Sequence, residues 1–310
     1  KKVANANYMR NKFYAMIPKK ENVDGRYFVH PILYGSGMGG SASFAKAQAM
    51  AALTGELIAD FQIPLVENHR VATVASKLIK QTKTDSGAFL KAVSMIADNQ
   101  LKAFGNMIST AMYRNSTGSI GTISTSTTIA SSTLYFTNLK DALNVEVGMQ
   151  LDLAAAESSG SLRAYGSSGH GLYVTAVNTK TGAVSIGTAP TPGATASNIS
   201  DAAAGIPAAA QGDYVYISGN RNLELNGFGD WIPYTDPTLG VEFLNVDRAV
   251  NRLRLAGLAV DGTRGALITD ILEDAIGQLG EIGGEATHCF MPFKKFTDMS
   301  KLLGSKAQLV

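Results

Sequence analysis

Three glycines, Gly35, Gly37 and Gly40, stand at the G-x-G-x-x-G spacing within YGSGMGGSASFAKAQAM, residues 34–50. The apolar run RYFVHPILY precedes them and an alanine-rich, helix-compatible run follows. A glycine turn between strand and helix lets backbone N–H groups approach a pyrophosphate, the chemistry of a dinucleotide site. The surroundings do not complete that pattern. The first strand of such a fold is buried and parallel and reads as a continuous apolar run, whereas Arg26, His30 and Pro31 interrupt this one. The acid that should close a second strand is misplaced, because Asp60 precedes FQIPLV, and no further βαβ units follow. The glycines read instead as a loop hinge, where variable backbone angles are needed. A nicotinamide-dependent oxidoreductase built on these glycines is kept as an alternative reading.

Other residue types capable of chemistry are scattered. His30, His69, His170 and His288 show none of the helical pairings that bind zinc. Cys289, the single cysteine, leaves no intrachain disulfide to form. It lies in THCFM, which reads as a buried strand where cysteine acts as a small apolar residue. Glu273 and Asp274 are adjacent on a helical stretch and point in different directions. With no nucleophile elbow or P-loop, no catalytic, metal-binding or cofactor-binding residue is assigned, no cofactor is expected, and the protein is not expected to be an enzyme.

The elements that would hold such groups are more informative. In this chain of 310 residues hydrophobic residues make up 45%, ordinary for a globular protein, but charged residues only 17%. A low charge content suits a surface partly covered by other chains. The net charge is +2, so no overall pull toward nucleic acid or membrane follows. Its distribution is uneven: residues 1–115 carry 15 Lys/Arg against 7 Asp/Glu (+8), residues 116–230 carry 4 against 8 (−4), and residues 231–310 carry 8 against 10 (−2). No apolar run is long enough to span a membrane. The chain begins with Lys1, and at LLGSKAQLV a fresh apolar run starts after Gly304, which reads as a helix stop; the natural chain is expected to continue.

FYAMIP and RYFVHPILY read as two extended arms around KKENVDG, with Asp24-Gly25 at a hairpin tip. A short helix is expected within 41–59, then extended structure from FQIPLV onward. DSGAFLKAVSMIADNQLKAFGNMISTAMYRN, residues 85–115, is the clearest helix. Phe89, Ala92, Val93, Ile96, Gln100, Ala103, Phe104, Met107, Ile108 and Ala111 form its stripe, with Gln100 the one polar break. From Gly118 to about 220, short β-like runs (TLYFT, VEVGMQLDL, GLYVTAV, GAVSIG, GDYVYIS) predict a small sandwich or barrel. The last third is α/β in character: GALITDILEDAIGQLGEI and FKKFTDMSKLLG read as helices.

Several blocks, in this order, resemble the major capsid proteins of tailed bacteriophages. AMIPKKENVDGRYFVHPILYG is similar to that family's extended loop, and DSGAFLKAVSMIADNQLKAFGNMISTAMYRNSTGSIGTIS to its spine helix. NVEVGMQLDL, YVTAVNTKTGAVSIG and GDYVYISGNRNLELNGFGDWIPY resemble a β insertion found in one branch. FLNVDRAVNRLRLAGLAVDGT and CFMPFKKFTDMSKLLGSK resemble the return to the peripheral domain and the start of the axial domain.

The resemblance implies an α+β fold with a long spine helix, an extended β-hairpin loop and an inserted all-β domain. It divides the chain into an N-terminal arm and extended loop (1–60), a peripheral domain with the spine helix (61–117), the β insertion (118–220), a return to the peripheral domain (221–262) and an axial domain (263–310) expected to be incomplete, through either a partial chain or a reduced domain. The implied function is structural: self-assembly into hexamers and pentamers of an icosahedral shell around double-stranded DNA, in a virion built in a bacterial cytoplasm. Scaffolding, portal and decoration proteins are the implied partners, with non-specific contact between the basic N-terminal third and packaged DNA, and no membrane. Lys19, Lys20, Glu21, Asp24 and Arg26 at the loop, and Arg248, Arg252 and Arg254 on the return, are the candidate intersubunit contacts. Gly35, Gly37 and Gly40 form the expected loop hinge. A tail or decoration protein whose β module binds a partner is a further alternative.

Overall fold

The computed structural model describes residues 12–19, 25–37, 40–53, 55–71, 86–128, 131–163, 172–187, 189, 209–262 and 267–307, with backbone alone for 12, 86–92 and 305–307. The fold is mixed α+β. Two compact units form, Lys1–Met16 with Val66–Asp230, and Ile17–Leu65 with Trp231–Val310.

The first unit begins with a short helix, α1 (Lys12–Met16). In the second, β1 (Tyr27–Gly35) is followed by α2 (Phe44–Leu53) and β2 (Leu57–Pro64). The expected hairpin between FYAMIP and RYFVHPILY does not form: Phe13–Met16 is helical, and β1 pairs antiparallel with β2, from Tyr27↔Pro64 to Gly35↔Leu57. The Asp24-Gly25 signal was local, whereas β1 and β2 match over eight residue pairs. The loop between paired strands is therefore 36–56. Alternate ribbon residues Ile32, Tyr34, Ala59, Phe61 and Ile63 pack on Trp231, Phe243, Leu244, Val246 and Leu255. Phe61 is fully buried, 5.4 Å from the Trp231 ring, and Trp231 meets Phe243 edge-on at 5.2 Å.

Two short strands, β10 (Glu242–Phe243) and β11 (Val246–Asp247), belong to the same core. Leu244 and Asn245, both at positive φ, form the tight turn between them. Helices α5 (Arg252–Leu255), α6 (Ile268–Glu281) and α7 (Phe293–Ala307) complete the unit. THCFM is not a strand, and Cys289 is exposed. Among the described residues no strand pairs with this segment, so the local pattern alone does not make a sheet. Gly304 sits inside α7 instead of ending it; glycine lowers helix propensity by only about 1 kcal/mol and does not forbid the helix.

The long helix of the first unit, α3 (Ser86–Tyr113), has 28 residues, roughly 42 Å at ~1.5 Å per residue. The predicted stripe from Val93 to Ala111 is its covered side, and burial deepens toward Ala111 and Met112. The barrel follows. Strands β3 (Ser119–Thr122), β4 (Thr133–Tyr135), β5 (Gln150–Ala154), β6 (Leu162–Arg163), β7 (Leu172–Asn178), β8 (Ala183–Gly187) and β9 (Tyr214–Ile217) run in the order β3-β9-β5-β7-β8-β4, with β6 also beside β5. The bridge Ile123↔Phe136, with Ser124 N donating to Tyr135 O at 2.8 Å and Thr137 N to Thr122 O at 2.9 Å, joins β4 back to β3. The sheet is thereby closed, which removes its exposed edges.

Period-two alternation places Leu134 and Phe136, Leu151 and Leu153, Leu172 and Val174, and Val184 and Ile186 inside the barrel, each at most 1% exposed. Arg163 on β6 pairs with Asp213 before β9, Nη2 to Oδ1 at 2.7 Å. After β9 the chain reaches α4 (Phe228–Trp231). Phe228 lies 5.7 Å from Tyr113, and Phe13 of α1 lies 5.5 Å from Tyr113 and 4.8 Å from Phe228.

Candidate assembly surfaces

The β1–β2 ribbon presents opposite faces with different fates. Tyr27, Val29 and Leu33 point away from the core opposite Pro64, Gln62 and Ile58. Val29 is 50% exposed, Leu33 46% and Ile58 58%. Helix α2 carries the sequence FAKAQAMAAL and buries none of its residues; Phe44 is 82% exposed and Leu53 84%. A helix of 10 residues is marginal in water when isolated, and α2 buries no residue that would add packing to it. Covering a side chain of this size contributes roughly 1.5–3 kcal/mol.

Gly35 closes β1, and a Cβ there would meet Leu57 Cδ1 at 3.0 Å. Gly40 lies in open space. Neither has the positive φ that glycine alone adopts readily; the run starts the 36–56 loop, with Gly37 between them. β1 belongs to a two-stranded antiparallel sheet, not the parallel sheet a dinucleotide fingerprint requires.

Among the candidate contact residues, Lys19 is exposed and donates from Nζ to Ile17 O at 3.1 Å. Arg26 is exposed, its guanidinium 5.9 Å from the Tyr27 ring centroid. Lys20, Glu21 and Asp24 lie outside the described residues. Arg248 stacks 4.0 Å from the Phe243 ring centroid, Arg252 pairs with Asp236 at 2.5 Å, and Arg254 is exposed. The three are brought together by one short segment, but two of them already have partners in their own chain.

Helices α6 and α7 and the segment between them contain no buried residue from Leu267 to Gly304. Phe293 is 93% exposed, Ile276 57% and Phe296 54%. Both helices are amphipathic, and Ile271, Leu272, Leu279 and Leu302 of their stripes are half-buried while none of the described residues from Leu267 to Gly304 is fully buried. Among the described residues no group of three or more His, Cys, Asp or Glu could hold a metal ion. No helix there is long and apolar enough to cross a membrane.

In the first unit a cleft of about 490 Å³ lies along α3 and the barrel, lined by Met107, Thr110, Ile120, Leu143, Met149 and Glu224 among others. Its charges are engaged internally. Arg114 donates to Asp141 Oδ1 at 2.8 Å and to Ser119 O at 2.9 Å. Burial raises the Asp141 carboxyl above its ordinary pKa, against the pull of Arg114. Glu224 is 7% exposed and accepts from Asn220 Nδ2 at 2.7 Å and Asn68 Nδ2 at 3.3 Å. Burial raises its pKa as well, the hydrogen bonds from Asn68 and the Leu225 backbone N–H opposing. The −4 balance of residues 116–230 is thus partly spent inside, on Asp141, Asp213 and Glu224, and does not amount to an acidic docking face. Sequence reasoning missed Glu224 because nothing local marks an acid as buried. It missed α2 as a surface because helix composition does not reveal what a helix packs on.

Comparison with family models, curated proteins and solved structures found no match for this chain.

Proposed function

We propose that this chain is a structural shell protein of the tailed-bacteriophage major capsid kind, assembling through repeated contacts between copies and performing no catalysis. One observation carries the reading: α2, flanked by Phe44 and Leu53 at 82% and 84% exposure, sits on the loop of a ribbon whose outward face is itself apolar. Exposed apolar surface of this kind marks interaction sites, and a second copy is the partner that a low-charge, multiply exposed chain would meet. The order of elements supports the same reading: ribbon, 28-residue helix, inserted barrel and α/β return follow the order of the blocks that resemble the family. The ribbon's inner face rests on its own core, so in this reading the clasp is made by the outer face and α2. Hexamers and pentamers around double-stranded DNA are the expected assemblies.

Sedimentation velocity and electron microscopy of the purified full chain test this directly. Capsomers or closed shells are expected, and a monodisperse monomer under every assembly condition would overturn the reading. Calorimetric titration with NAD(P) separates the oxidoreductase alternative, for which the antiparallel setting of Gly35 offers no support.

A further inference from the structure

Both chain crossings between α3 and the barrel converge on one loop, residues 155–160, between β5 and β6. From the inbound side, Asn115 Nδ2 donates to Glu157 Oε1 at 2.6 Å and Thr117 Oγ1 to the same oxygen at 3.2 Å. On the outbound side, Arg221 donates from Nη1 to Gly160 O at 3.0 Å and from Nη2 to Ala156 O at 3.0 Å and Ser159 O at 2.5 Å. Asn222 Nδ2 donates to Ser158 O at 3.0 Å. Tyr216, fully buried, donates its hydroxyl to Glu157 O at 2.6 Å, and the Arg221 guanidinium lies 5.5 Å from its ring centroid. The crossings also meet each other, Asn222 N donating to Thr117 O at 2.9 Å.

Two adjacent crossings alone would act as a hinge about which the barrel could rock. Arg114 to Asp141 at 2.8 Å and Thr110 to Asn144 at 3.2 Å already tie the end of α3 to the 139–144 segment; the 155–160 loop supplies a further attachment, and Arg221 holds it by three main-chain carbonyls. We propose that Arg221 locks the barrel in one orientation on α3, and that it is thereby a positioning residue for assembly. The assembly half of this inference rests on the shell reading; the lock does not. A planar guanidinium reaches several fixed carbonyls at once while stacking on a ring, which an ammonium cannot reproduce. Arg221→Lys is therefore expected to fall between the parent and Arg221→Ala.

The test uses the full chain with Cys289→Ser and nitroxide labels at Asp98→Cys on α3 and Lys180→Cys in the β7–β8 turn, both exposed positions. Pulsed electron paramagnetic resonance reads the distance between α3 and barrel. A single narrow distribution is expected with Arg221, one at least about twice as wide with Arg221→Ala, and an intermediate width with Arg221→Lys. Barrel melting should fall by no more than roughly 10 °C, well short of collapse. An unchanged width in Arg221→Ala overturns the lock. Widening with a collapse of barrel melting also overturns it, because Arg221 would then serve folding and not orientation. In micrographs the Arg221→Ala chain should give irregular shells where the parent gives regular ones; regular shells despite a widened distribution would overturn the link to assembly. A parent chain that never assembles would overturn the shell reading alone, leaving the lock to be decided by the distances.

Discussion

The barrel and the α6–α7 segment solve the problem of apolar surface in opposite ways. The barrel closes its sheet and keeps fourteen buried residues in one cluster. Leu267 to Gly304 buries none, and α2 behaves like that segment, with no buried residue. A region that satisfies itself is a folding unit; a region that leaves apolar residues exposed is where a covering surface would act. In this chain the self-sufficient part is the one inserted between α3 and α4, and the dependent parts are the loop of the ribbon and the helices that follow the second core. If the proposed shell assembly holds, the contrast would put its assembly energy in α2, the ribbon's outer face and α6–α7, and the folding energy in the barrel.

The sharpest way to break this contrast is to charge the dependent surface. Phe44→Asp with Leu53→Asp is expected to raise the concentration needed for assembly by at least about 100-fold, since each lost contact is worth roughly 1.5–3 kcal/mol. The isolated subunit should melt as before. Light scattering and calorimetry on the same sample check both halves, and a lowered melting temperature would mean that α2 serves its own fold.

Truncating the barrel core should do the reverse. Leu151→Ala or Leu153→Ala, each at fully buried positions, should cost about 2–5 kcal/mol of stability, read from denaturant unfolding. Assembly should fail only where folding fails.

A smaller effect is expected at the barrel's root. Gly118 has φ +75°, and a Cβ there would meet Asn220 O at 2.6 Å. Gly118→Ala should cost roughly 1–3 kcal/mol through backbone strain and this close approach. Gly227 is expected to behave alike, since its Cβ would press on three carbonyls at the end of α3: those of Ala111, Met112 and Arg114.

The smallest expected effect is in the pH dependence of Glu224. Its pKa is raised in the fold by burial. Its contribution to stability is thus fully present below the ordinary carboxylate pKa and is lost as pH rises through the raised value. The stability difference between parent and Glu224→Gln should therefore drift against the parent across that window on going from acid to neutral pH. Denaturant midpoints of the two proteins, taken at matched pH values, would show a flat difference if the carboxyl were solvated.

Much of this division was legible in the residues. The i, i+3, i+4 stripe of α3 and the alternation of LYF, QLDL, LYV and VSI each depend on one element's own period, and each formed where expected. The barrel's closure was less specified, because it rests on a bridge between Ile123 and Phe136 that no local pattern marks. The ribbon's pairing was misread because Asp24-Gly25 is a strong turn signal over a few residues, while the actual partner of β1 lies some 30 residues downstream at β2. THCFM failed for a related reason, since a strand needs a neighbour as well as apolar residues. Of the candidate contact surfaces, only exposed charges were named in advance. The exposure of Phe44 and Leu53 at the two ends of α2 and the carbonyl-bound Arg221 depend on tertiary placement, which the sequence carries only implicitly.

The hydrogen bond between Thr117 and Asn222, at 2.9 Å, has an engineering consequence. Where a chain leaves and rejoins its scaffold at neighbouring points, the intervening module can be exchanged without redirecting the flanking chain, provided its replacement has ends equally close together. The same seam could receive a foreign domain in place of the barrel, each subunit then carrying one copy of the graft at a defined spot.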